Sequence, residues 1–346
     1  MKLNFCTLFN SNYLSRGILL YESLLDTCKN FHLYVFAFDD NTYKLLKESN
    51  FDKCTDISLK EFEDAELLRV KPSRSSGEYC WTCTSSTILY AIQNFKLDHC
   101  TYIDADMYFY SDPGILIDEM KGKSVLITEH RYSPSYVRSK ESGLYCVQFV
   151  TFLNDECGLK VLQWWRNACI DWCFNRIEDG KFGDQKYLDD WNERFDCIHV
   201  LENLGGGLAP WNVQQYAFQK KEGNIIGTEL ATGKVFEAVF FHFHGLKFYS
   251  NNVVELSGEV YELNEETTTI FYFQYINRLK RVKLKISQSI TFDPHGTHGK
   301  SKFGPYNLLM MVKYYINDLK FSILNITGRN LKKRKLHHHF YRTGKF

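Results

Sequence analysis

The feature that most constrains this chain is an apolar, aromatic segment with two carboxylates at its centre. Residues 100–110 read CTYIDADMYFY, which places Asp104 and Asp106 two residues apart. Side chains at positions i and i+2 of a strand point to the same side, so these carboxylates are expected to converge where the strand leaves a sheet. Burying two unpaired carboxylates is costly. The pair therefore predicts a bound cation, and oxygen ligands suit Mn²⁺ or Mg²⁺, which also bind phosphate oxygens.

Length and composition fit a folded protein with a substantial core. The 346 residues can form one large domain with an extension, or two modest domains. Hydrophobic residues make up 44% and charged residues 24%, which is typical of a soluble globular protein. The net charge of +1 gives no argument for a nucleic-acid partner, and none is expected.

The cysteines indicate a reducing compartment. There are eleven, an odd number, and no secretory signal precedes them. Reduced thiols and a cytoplasmic location are therefore expected. The Cys80-x-x-Cys83 motif has no second pair at zinc-ribbon spacing, which disfavours a metal or redox role. No stretch reaches the roughly 18 apolar residues that a membrane-spanning helix needs, and the first residues predict a strand rather than a targeting peptide.

Strands and helices alternate through the first half of the chain. The apolar patterns predict strands over residues 3–9, 32–38 and 56–58 and helices over residues 16–28, 41–48 and 79–95. This alternation indicates an α/β fold with a mainly parallel sheet, in which ligands bind beyond the carboxyl ends of the strands. The second half is more mixed, with strands expected over residues 124–128, 144–152 and 235–242 and a helix over residues 159–176.

Two more motifs follow the paired aspartates. Gly183-Asp184-Gln185 comes first, and His242-x-x-Gly245 with Lys247 comes second. In this order the chain resembles the GT-A glycosyltransferases, above all the retaining family 8 type and related bacterial surface-polysaccharide transferases. The resemblance covers roughly residues 1–250. It implies the nucleotide-diphospho-sugar transferase fold, a mixed and mainly parallel sheet flanked by helices.

The resemblance also implies an activity and a metal site. The activity would be transfer of a sugar, with retention of configuration, from a nucleotide sugar (UDP-sugar as first guess) to a glycan acceptor such as a lipid-linked cell-surface polysaccharide. Asp104, Asp106 and His242 would hold Mn²⁺ or Mg²⁺, which neutralises the leaving diphosphate. The chain departs from the family pattern after His242, because Lys247 comes one residue early. His244 therefore remains an alternative ligand.

Asp184 and Gln185 are the predicted catalytic residues. They follow a turn-rich stretch and precede a predicted helical segment. Similar enzymes carry an acid and a glutamine beside the anomeric carbon of the donor sugar, where a carboxylate stabilises positive charge. The alternative is that Asp184 only caps the helix.

Donor contacts are expected after the first strand and from a basic loop at residues 71–74. Tyr13 is suited to stack on a base and Arg16 to approach a phosphate, although Asn12 as a helix cap and Tyr13 as a hydrophobic staple explain the same residues. The predicted donor-binding residues are Thr7, Asn12, Tyr13, Arg16, Arg74, Asp104, Ala105, Gly245 and Lys247.

Acceptor or sugar contacts are expected from Trp211 and Asn212. Both follow three consecutive glycines at residues 205–207, which permit backbone conformations that are closed to other residues. Trp211 offers a flat face for a sugar, and the alternative is a structural turn with a core tryptophan. Cys146 stands near a position where similar proteins carry an asparagine.

The pattern of residue types changes after about residue 255. Helices are expected over residues 267–286 and 305–324, and the tail from 328 to 346 has seven Lys or Arg and no acidic residue. The expected division is a catalytic domain at 1–255, with a donor half at about 1–125 and an acceptor half at about 126–255, and a helical basic C-terminal extension at 256–346. Clustered cations beside aromatics are attracted to anionic lipid, so peripheral contact with the inner face of a membrane is one expectation and a solvated tail the other.

Two other functions compete with glycosyl transfer. A sugar-phosphate nucleotidyltransferase has a similar arrangement of strands and helices. It should, however, carry a glycine-rich, basic loop after the first strand, and residues 7–13 (TLFNSNY) are not such a loop. A non-catalytic glycan-binding protein on a transferase scaffold would have no reason to keep both aspartates, the Asp-Gln pair and the histidine.

Overall fold

The computed structural model of the protein describes residues 1–136, 139–301, 312, 315–316, 319–320, 322–323, 337 and 339–345. The strands are β1 (Leu3–Phe9), β2 (Phe31–Ala37), β3 (Cys54–Ser58), β4 (His99–Ile103), β5 (Met107–Phe109), β6 (Val125–Glu129), β7 (Tyr145–Leu153), β8 (Ile198–Val200), β9 (Tyr216–Lys221), β10 (Asn224–Glu229), β11 (Val235–Glu237), β12 (Phe240–His242), β13 (Lys247–Tyr249), β14 (Val253–Glu255) and β15 (Phe340–Arg342).

The helices stand between these strands and after them. They are α1 (Leu14–Thr27), α2 (Asp40–Ser49), α3 (Leu59–Phe62), α4 (Ala65–Val70), α5 (Ser76–Phe95), α6 (Gly114–Ile117), α7 (Ser139–Ser142), α8 (Glu156–Asp171), α9 (Trp191–Arg194), α10 (Glu265–Thr267) and α11 (Phe273–Ile286). The long helix α5 begins at a capping box, in which Ser75 and Glu78 satisfy each other's backbone N–H groups.

The central sheet confirms the predicted fold class. Its seven strands run in the order β3-β2-β1-β4-β7-β6-β8. The pairs β1–β2, β1–β4, β2–β3 and β6–β8 are parallel, whereas β7 runs antiparallel to both β4 and β6. The sheet is therefore mixed and mainly parallel, with helices on its faces. The carboxyl ends of β1 and β4 lie at the same edge, which is where ligands bind in such sheets.

The predicted strand over residues 235–242 is in fact two strands in different sheets. β11 pairs with β10 in a three-stranded sheet, whereas β12 pairs with β5 beside the central sheet. The chain changes sheets at Ala238 and Val239, and both are buried. An unbroken apolar pattern cannot show such a change, because buried strands of either sheet have the same composition.

The part of the extension that the structure describes packs on the catalytic region. Tyr275, Ile276 and Leu279 of α11 belong to the same hydrophobic core as β1 and α1. β15 adds to β14, so residues 340–342 pair with residues 253–255. The core thus continues across the expected boundary at residue 255. The helix predicted over residues 305–324 lies largely outside the described residues.

A short segment after α11 contacts the beginning of α1. The Ser15 amide donates to the Pro294 carbonyl at 3.0 Å, and the Ser15 hydroxyl lies 2.7 Å from Nδ1 of His295. The guanidinium of Arg16 donates to the His295 carbonyl at 3.0 Å. Residues 294 and 295 therefore hold the first turn of α1, although about 280 residues separate the two segments in sequence.

One pair of cysteines departs from the expectation of reduced thiols. Cys157 in the first turn of α8 and Cys197 just before β8 form a disulfide, with their Cα atoms 6.4 Å apart. The remaining nine cysteines are free. Sequence spacing could not identify this pair, because only the fold brings the two segments together. None of the described helices is long and apolar enough to span a bilayer.

Candidate active site

The two aspartates lie in a turn and not, as expected, within a strand. β4 ends at Ile103, and the amide of Met107 donates to the Asp104 carbonyl at 3.2 Å, which closes a turn before β5. The Asp104 amide donates to the carbonyl of Gln148 on β7. The backbone is therefore fixed on both sides, and the carboxylates still converge at the predicted edge of the sheet.

Strand pairing brings a histidine to the aspartates. β12 runs antiparallel to β5 with His242 opposite Met107, and the Phe243 amide donates to the Asp106 carbonyl at 2.9 Å. Nε2 of His242 consequently lies 3.1 Å from Oδ1 of Asp106 and 3.7 Å from Oδ2 of Asp104. One ligand atom from each of the three residues lies within 4.8 Å of the other two. This group, Asp104, Asp106 and His242, is called the ligand cluster below.

Burial and mutual charge shift the ionisation of the ligand cluster. Burial raises the pKa of Asp104, against the attraction of His242. Burial also favours neutral Asp106, but the charge and hydrogen bond of His242 outweigh it and leave the pKa of Asp106 lowered. Burial disfavours the imidazolium of His242, yet the neighbouring carboxylates hold its pKa well above the usual value. A proton thus compensates the carboxylates, at a place where a divalent cation would do so more completely.

His244, the alternative ligand, is not part of the ligand cluster. Burial first, and then the charge of His242, lower the pKa of His244 to about 4, so its ring is neutral at physiological pH. The ring stands next to that of His242, with centroids 5.6 Å apart. It lines the same cavity.

A cavity of about 760 Å³ opens over the ligand cluster. Its size is in the range of small-molecule and cofactor sites. Several predicted site residues line it, namely Asn12, Tyr13, Asp104, Ala105, Asp106, Asp184, Gln185, Trp211 and His242. The structure thus brings together the predicted metal ligands, the predicted catalytic pair and part of the predicted nucleoside site.

Asp184 lies at the cavity without serving as a helix cap. It precedes the 3-10 turn Gln185–Leu188, and no side-chain hydrogen bond caps that turn. Its carbonyl accepts a hydrogen bond from Nε1 of buried Trp165 at 3.0 Å, which fixes the backbone here. Burial, and after it the negative charge of Asp104, raise the pKa of the Asp184 carboxyl to about 7. Nε2 of Gln185 donates to the Ser142 carbonyl at 2.6 Å.

Trp211 is packed more tightly than an open sugar platform would be. It is only 3% exposed, and its ring meets those of His242 and His244 at centroid distances of 5.5 and 5.6 Å. Asn212 does not line the cavity. Its side chain bonds the Ala209 amide and the carbonyls of His130 and Gly207. The geometry favours the structural-turn alternative for Asn212 and a supporting role for Trp211 behind the histidines.

Five further predicted donor residues do not line the cavity, namely Thr7, Arg16, Arg74, Gly245 and Lys247. Thr7 is buried inside β1. Buried Arg16 donates to the carbonyls of His295 and Leu246 and lies 4.5 Å from the Tyr13 ring centre. Its guanidinium therefore lies against the Tyr13 ring and is not part of the cavity wall.

The remaining three of these residues are held at other contacts. Arg74 donates to the Ile170 carbonyl and lies 3.9 Å over the Phe174 ring. Lys247 is 3.8 Å from Glu255. Gly245 has φ of +78°, and a Cβ there would meet the Ser257 backbone at 3.2 Å. The glycine is thus needed for the turn after His242.

Sequence reasoning missed part of the cavity wall. The residues it did not single out include Trp81, Thr84, His130, Tyr132, Phe182 and Tyr261. His130 and Tyr132 follow the carboxyl end of β6, so the strand-end rule that selected Asp104 could have found them. Their rings stack with centroids 4.6 Å apart. Tyr261 belongs to the extension, and no signal in the sequence linked it to the site.

The similarities to known proteins can now be set beside this geometry. No family model matches the chain. Two proteins of Bacillus subtilis (strain 168), both called uncharacterized, are similar in sequence. YfnD is 29% identical over 282 residues, covering 80% of this chain and 89% of YfnD. YfnF is 28% identical over 299 residues, covering 84% of this chain and 95% of YfnF.

Solved structures with a similar fold are glycosyltransferases, the class that the motifs resemble. The galactosyltransferase LgtC, in complex with donor and acceptor sugar analogs, aligns with a TM-score of 0.49 and 9% identity over 83% of this chain and 100% of LgtC. Mouse xyloside xylosyltransferase 1 aligns with a TM-score of 0.40 and 13% identity over 61% of this chain and 87% of its own. Because these TM-scores lie below 0.5, the function has to be inferred from this chain's own residues.

The raised pKa of Asp184 predicts a pH effect on stability. Between the ordinary pKa of 3.8 and about 7, the folded protein keeps a proton that the unfolded chain releases. This carboxyl therefore makes the free energy of unfolding fall as pH rises through that window, by at most about 1.4 kcal/mol per pH unit. Asp184→Asn should remove this slope in urea unfolding measured with a chelator present.

Asp190→Asn serves as the control, because Asp190 lies on the same segment and its side chain is 49% exposed. It should leave the pH dependence of the wild type unchanged. If the curves of wild type and Asp184→Asn run parallel from about pH 5 to about pH 8, Asp184 is ionised throughout and its assignment as a buried, protonatable carboxyl is wrong.

Proposed function

We propose that this protein is a metal-dependent glycosyltransferase that moves a sugar from a nucleotide-sugar donor to a glycan acceptor. The observation that carries the proposal is the ligand cluster under a cavity that Asp184 also lines. A buried carboxylate, a partly buried one and a buried imidazole at this spacing suit a bound cation, which would compensate their charge. A further carboxylate in the same cavity suits a reaction in which positive charge develops on a sugar.

The residues of the ligand cluster fit a divalent cation. Carboxylate oxygens with one imidazole suit Mn²⁺ and, less selectively, Mg²⁺. Asp104, Asp106 and His242 would hold the cation on their side, and the cavity leaves its other side open to a ligand. When bound, the cation supplies positive charge to the diphosphate leaving group.

The charge of the cavity wall supports a strict requirement for that cation. Among the described residues that line the cavity there is no lysine or arginine. A diphosphate would therefore meet the carboxylates with no lysine or arginine in the wall to compensate its charge, which is unfavourable at close range. The nucleoside would lie towards Asn12 and Tyr13. The charge of Asp106, and then burial, raise the pKa of Tyr13 to about 12, so its ring stays a neutral phenol that can stack on a base.

Asp184 and Gln185 would flank the reacting carbon. In the ionised form Asp184 stabilises an oxocarbenium-like centre by its charge. Retention of configuration is proposed from the resemblance of the motifs. If Asp184 instead removed a proton from the acceptor hydroxyl, inversion would follow, and the anomeric configuration of the product distinguishes the two courses.

The two competing functions account for less of the site. The turn after β1, at residues 10–13, is built from Asn10, Ser11, Asn12 and Tyr13 and lacks the glycines and cations of a nucleotidyltransferase phosphate loop. A glycan-binding protein would need aromatic walls and hydrogen bonds but no buried ligand cluster. A UDP-sugar remains the first guess for the donor.

Metal-dependent binding of a nucleoside diphosphate is the direct test. Thermal unfolding is measured with a panel of nucleoside diphosphates and nucleotide sugars, each with and without Mn²⁺. A ligand present at about 100 times its Kd stabilises by about 2.7 kcal/mol, which raises Tm by a few degrees. The wild type should respond to one base and only when Mn²⁺ is present. Asp106→Ala should abolish the response.

Asp171→Ala is the matched control, since Asp171 is an exposed carboxylate at the end of α8. It should respond as the wild type does. No metal-dependent shift with any nucleotide would overturn the proposal and favour a glycan-binding protein, and a shift that survives in Asp106→Ala would place the nucleotide elsewhere.

We also propose that the acceptor is presented at a membrane surface. Val312, Tyr315 and Leu319, spaced three and four residues apart, are helical and 48%, 72% and 52% exposed. This spacing puts apolar side chains on one face of a helix. The chain after residue 328 carries seven cations and no acid. Apolar and basic groups together favour an anionic lipid surface, and a lipid-linked glycan is an acceptor found there.

Vesicle co-sedimentation of the full chain tests membrane contact. Replacing Lys332, Lys333, Arg334 and Lys335 by glutamine should weaken binding to anionic vesicles by more than about tenfold, because each cation near the surface contributes about 1 kcal/mol. The control makes the same charge change at exposed lysines elsewhere, Lys44, Lys60, Lys121 and Lys234. Equal affinity for neutral and anionic vesicles, or equal loss in both variants, would contradict the proposal.

A further inference from the structure

Gln148 on β7 contacts both Asp104 and His242 of the ligand cluster. Its main-chain carbonyl accepts a hydrogen bond from the Asp104 amide at 3.2 Å. Its side-chain Oε1 lies 2.7 Å from Nδ1 of His242. Gln148 is fully buried and does not line the cavity. One residue therefore connects the turn that carries the aspartates to the ring of the histidine, from behind the cluster.

A local irregularity of the sheet directs this side chain. The register between β6 and β7 shifts between Leu126 and Thr128, and the Thr128 hydroxyl donates to the Phe149 carbonyl at 2.9 Å. Such bulges re-aim side chains and are common beside active sites. Gly207 approaches on the other side, where a Cβ would lie 2.9 Å from Cγ2 of Thr128 and 3.5 Å from Nε2 of Gln148.

The hydrogen bond to Gln148 decides which nitrogen of His242 keeps its hydrogen when a cation binds at the ligand cluster. With Oε1 of Gln148 as its partner, Nδ1 carries the hydrogen and donates it. Nε2 is the nitrogen that lies near the two carboxylates and shares its proton with them. When a cation replaces that proton, the lone pair of Nε2 is free to bind it while Nδ1 keeps its hydrogen. A metal-binding histidine needs this tautomer, and such a partner also fixes the orientation of the ring.

The NH₂ group of the Gln148 side chain does not explain why a glutamine stands at this position. Nε2 of Gln148 is buried and has no hydrogen-bond partner among the residues that the structure describes. Buried amides are normally satisfied at both ends, and leaving a donor unpaired costs about 1–3 kcal/mol. A leucine would avoid that cost, so the acceptor oxygen towards His242 is the feature that explains the glutamine.

We infer that Gln148 is a positioning residue, which holds His242 in the ring orientation and tautomer that present Nε2 to a divalent cation. The inference rests on the proposed function in one respect, since it requires that a cation bind at the ligand cluster. It adds a residue that no motif in the sequence indicated. Gln148 acts through His242 and touches neither donor nor acceptor.

Mn²⁺ binding without nucleotide tests the inference. Free Mn²⁺ is followed by its electron paramagnetic resonance signal during titration of the full chain. Gln148→Leu should bind Mn²⁺ about 10–100-fold more weakly, the loss that outer partners of metal ligands typically cause. Gln148→Glu offers only acceptor oxygens to Nδ1 and should bind within about threefold of the wild type or more tightly.

Thr151→Val is the matched control. Thr151 is buried on the same strand, and its hydroxyl bonds that of Thr101 at 2.8 Å without touching the ligand cluster. Its Mn²⁺ affinity should equal that of the wild type. This comparison separates loss of a buried hydrogen bond on β7 from loss of the bond to His242.

The outcomes distinguish this inference from the proposed function. If the wild type itself binds no Mn²⁺, the metal site fails. If the wild type binds and a folded Gln148→Leu binds equally well, only the positioning role is wrong. Should Gln148→Leu fail to fold, Gln148→Glu decides: retained affinity supports an acceptor at this position, and loss of affinity in the folded variant overturns it, because the amide would then act as a donor.

Discussion

The pairing of β12 with β5 is the contact on which the site depends. It joins residues 240–242 to residues 107–109 across the whole catalytic region and sets Nε2 of His242 beside Asp106. The extension supports this pairing from behind, since the ring of Phe243 stacks on that of Tyr275 in α11 with centroids 3.7 Å apart. A slip of one residue in an antiparallel pair would turn His242 to the other face. The aromatic packing therefore protects the register that creates the ligand cluster.

The charges around the same site favour the binding of a cation. Three carboxylates, Asp104, Asp106 and Asp184, face one cavity, and no arginine or lysine lines it within the described ranges. Burial raises the pKa values of Asp104 and Asp184, whereas the neighbouring carboxylates raise the pKa of His242 against the opposing effect of burial. Such an arrangement lowers the stability of the empty protein, and it is typical of sites at which a ligand of opposite charge binds.

The predictions from sequence agree with the structure where a local pattern determines the structure, and they differ from it where contacts between distant segments determine it. The order of the motifs predicted that Asp104, Asp106 and His242 meet, and the alternation of elements predicted the sheet. Arg16 and Asn212 have the residue types of ligand contacts, but backbone groups satisfy them, and some of these groups lie on distant segments. Those partners, such as His295 for Arg16, lie too far along the chain for any local pattern to indicate. The same reason hid the Cys157–Cys197 disulfide, the break between β11 and β12 and the contribution of Tyr261 to the cavity.

The most direct measurement is a crystal structure with Mn²⁺ and the nucleoside diphosphate that binds most tightly, with anomalous data collected to locate the manganese. The account predicts one anomalous peak between Asp104, Asp106 and His242, with the diphosphate beside it and the base near Tyr13. Manganese bound elsewhere, or a diphosphate held in the cavity without it, would contradict the claim that these three residues form the metal centre of a transferase.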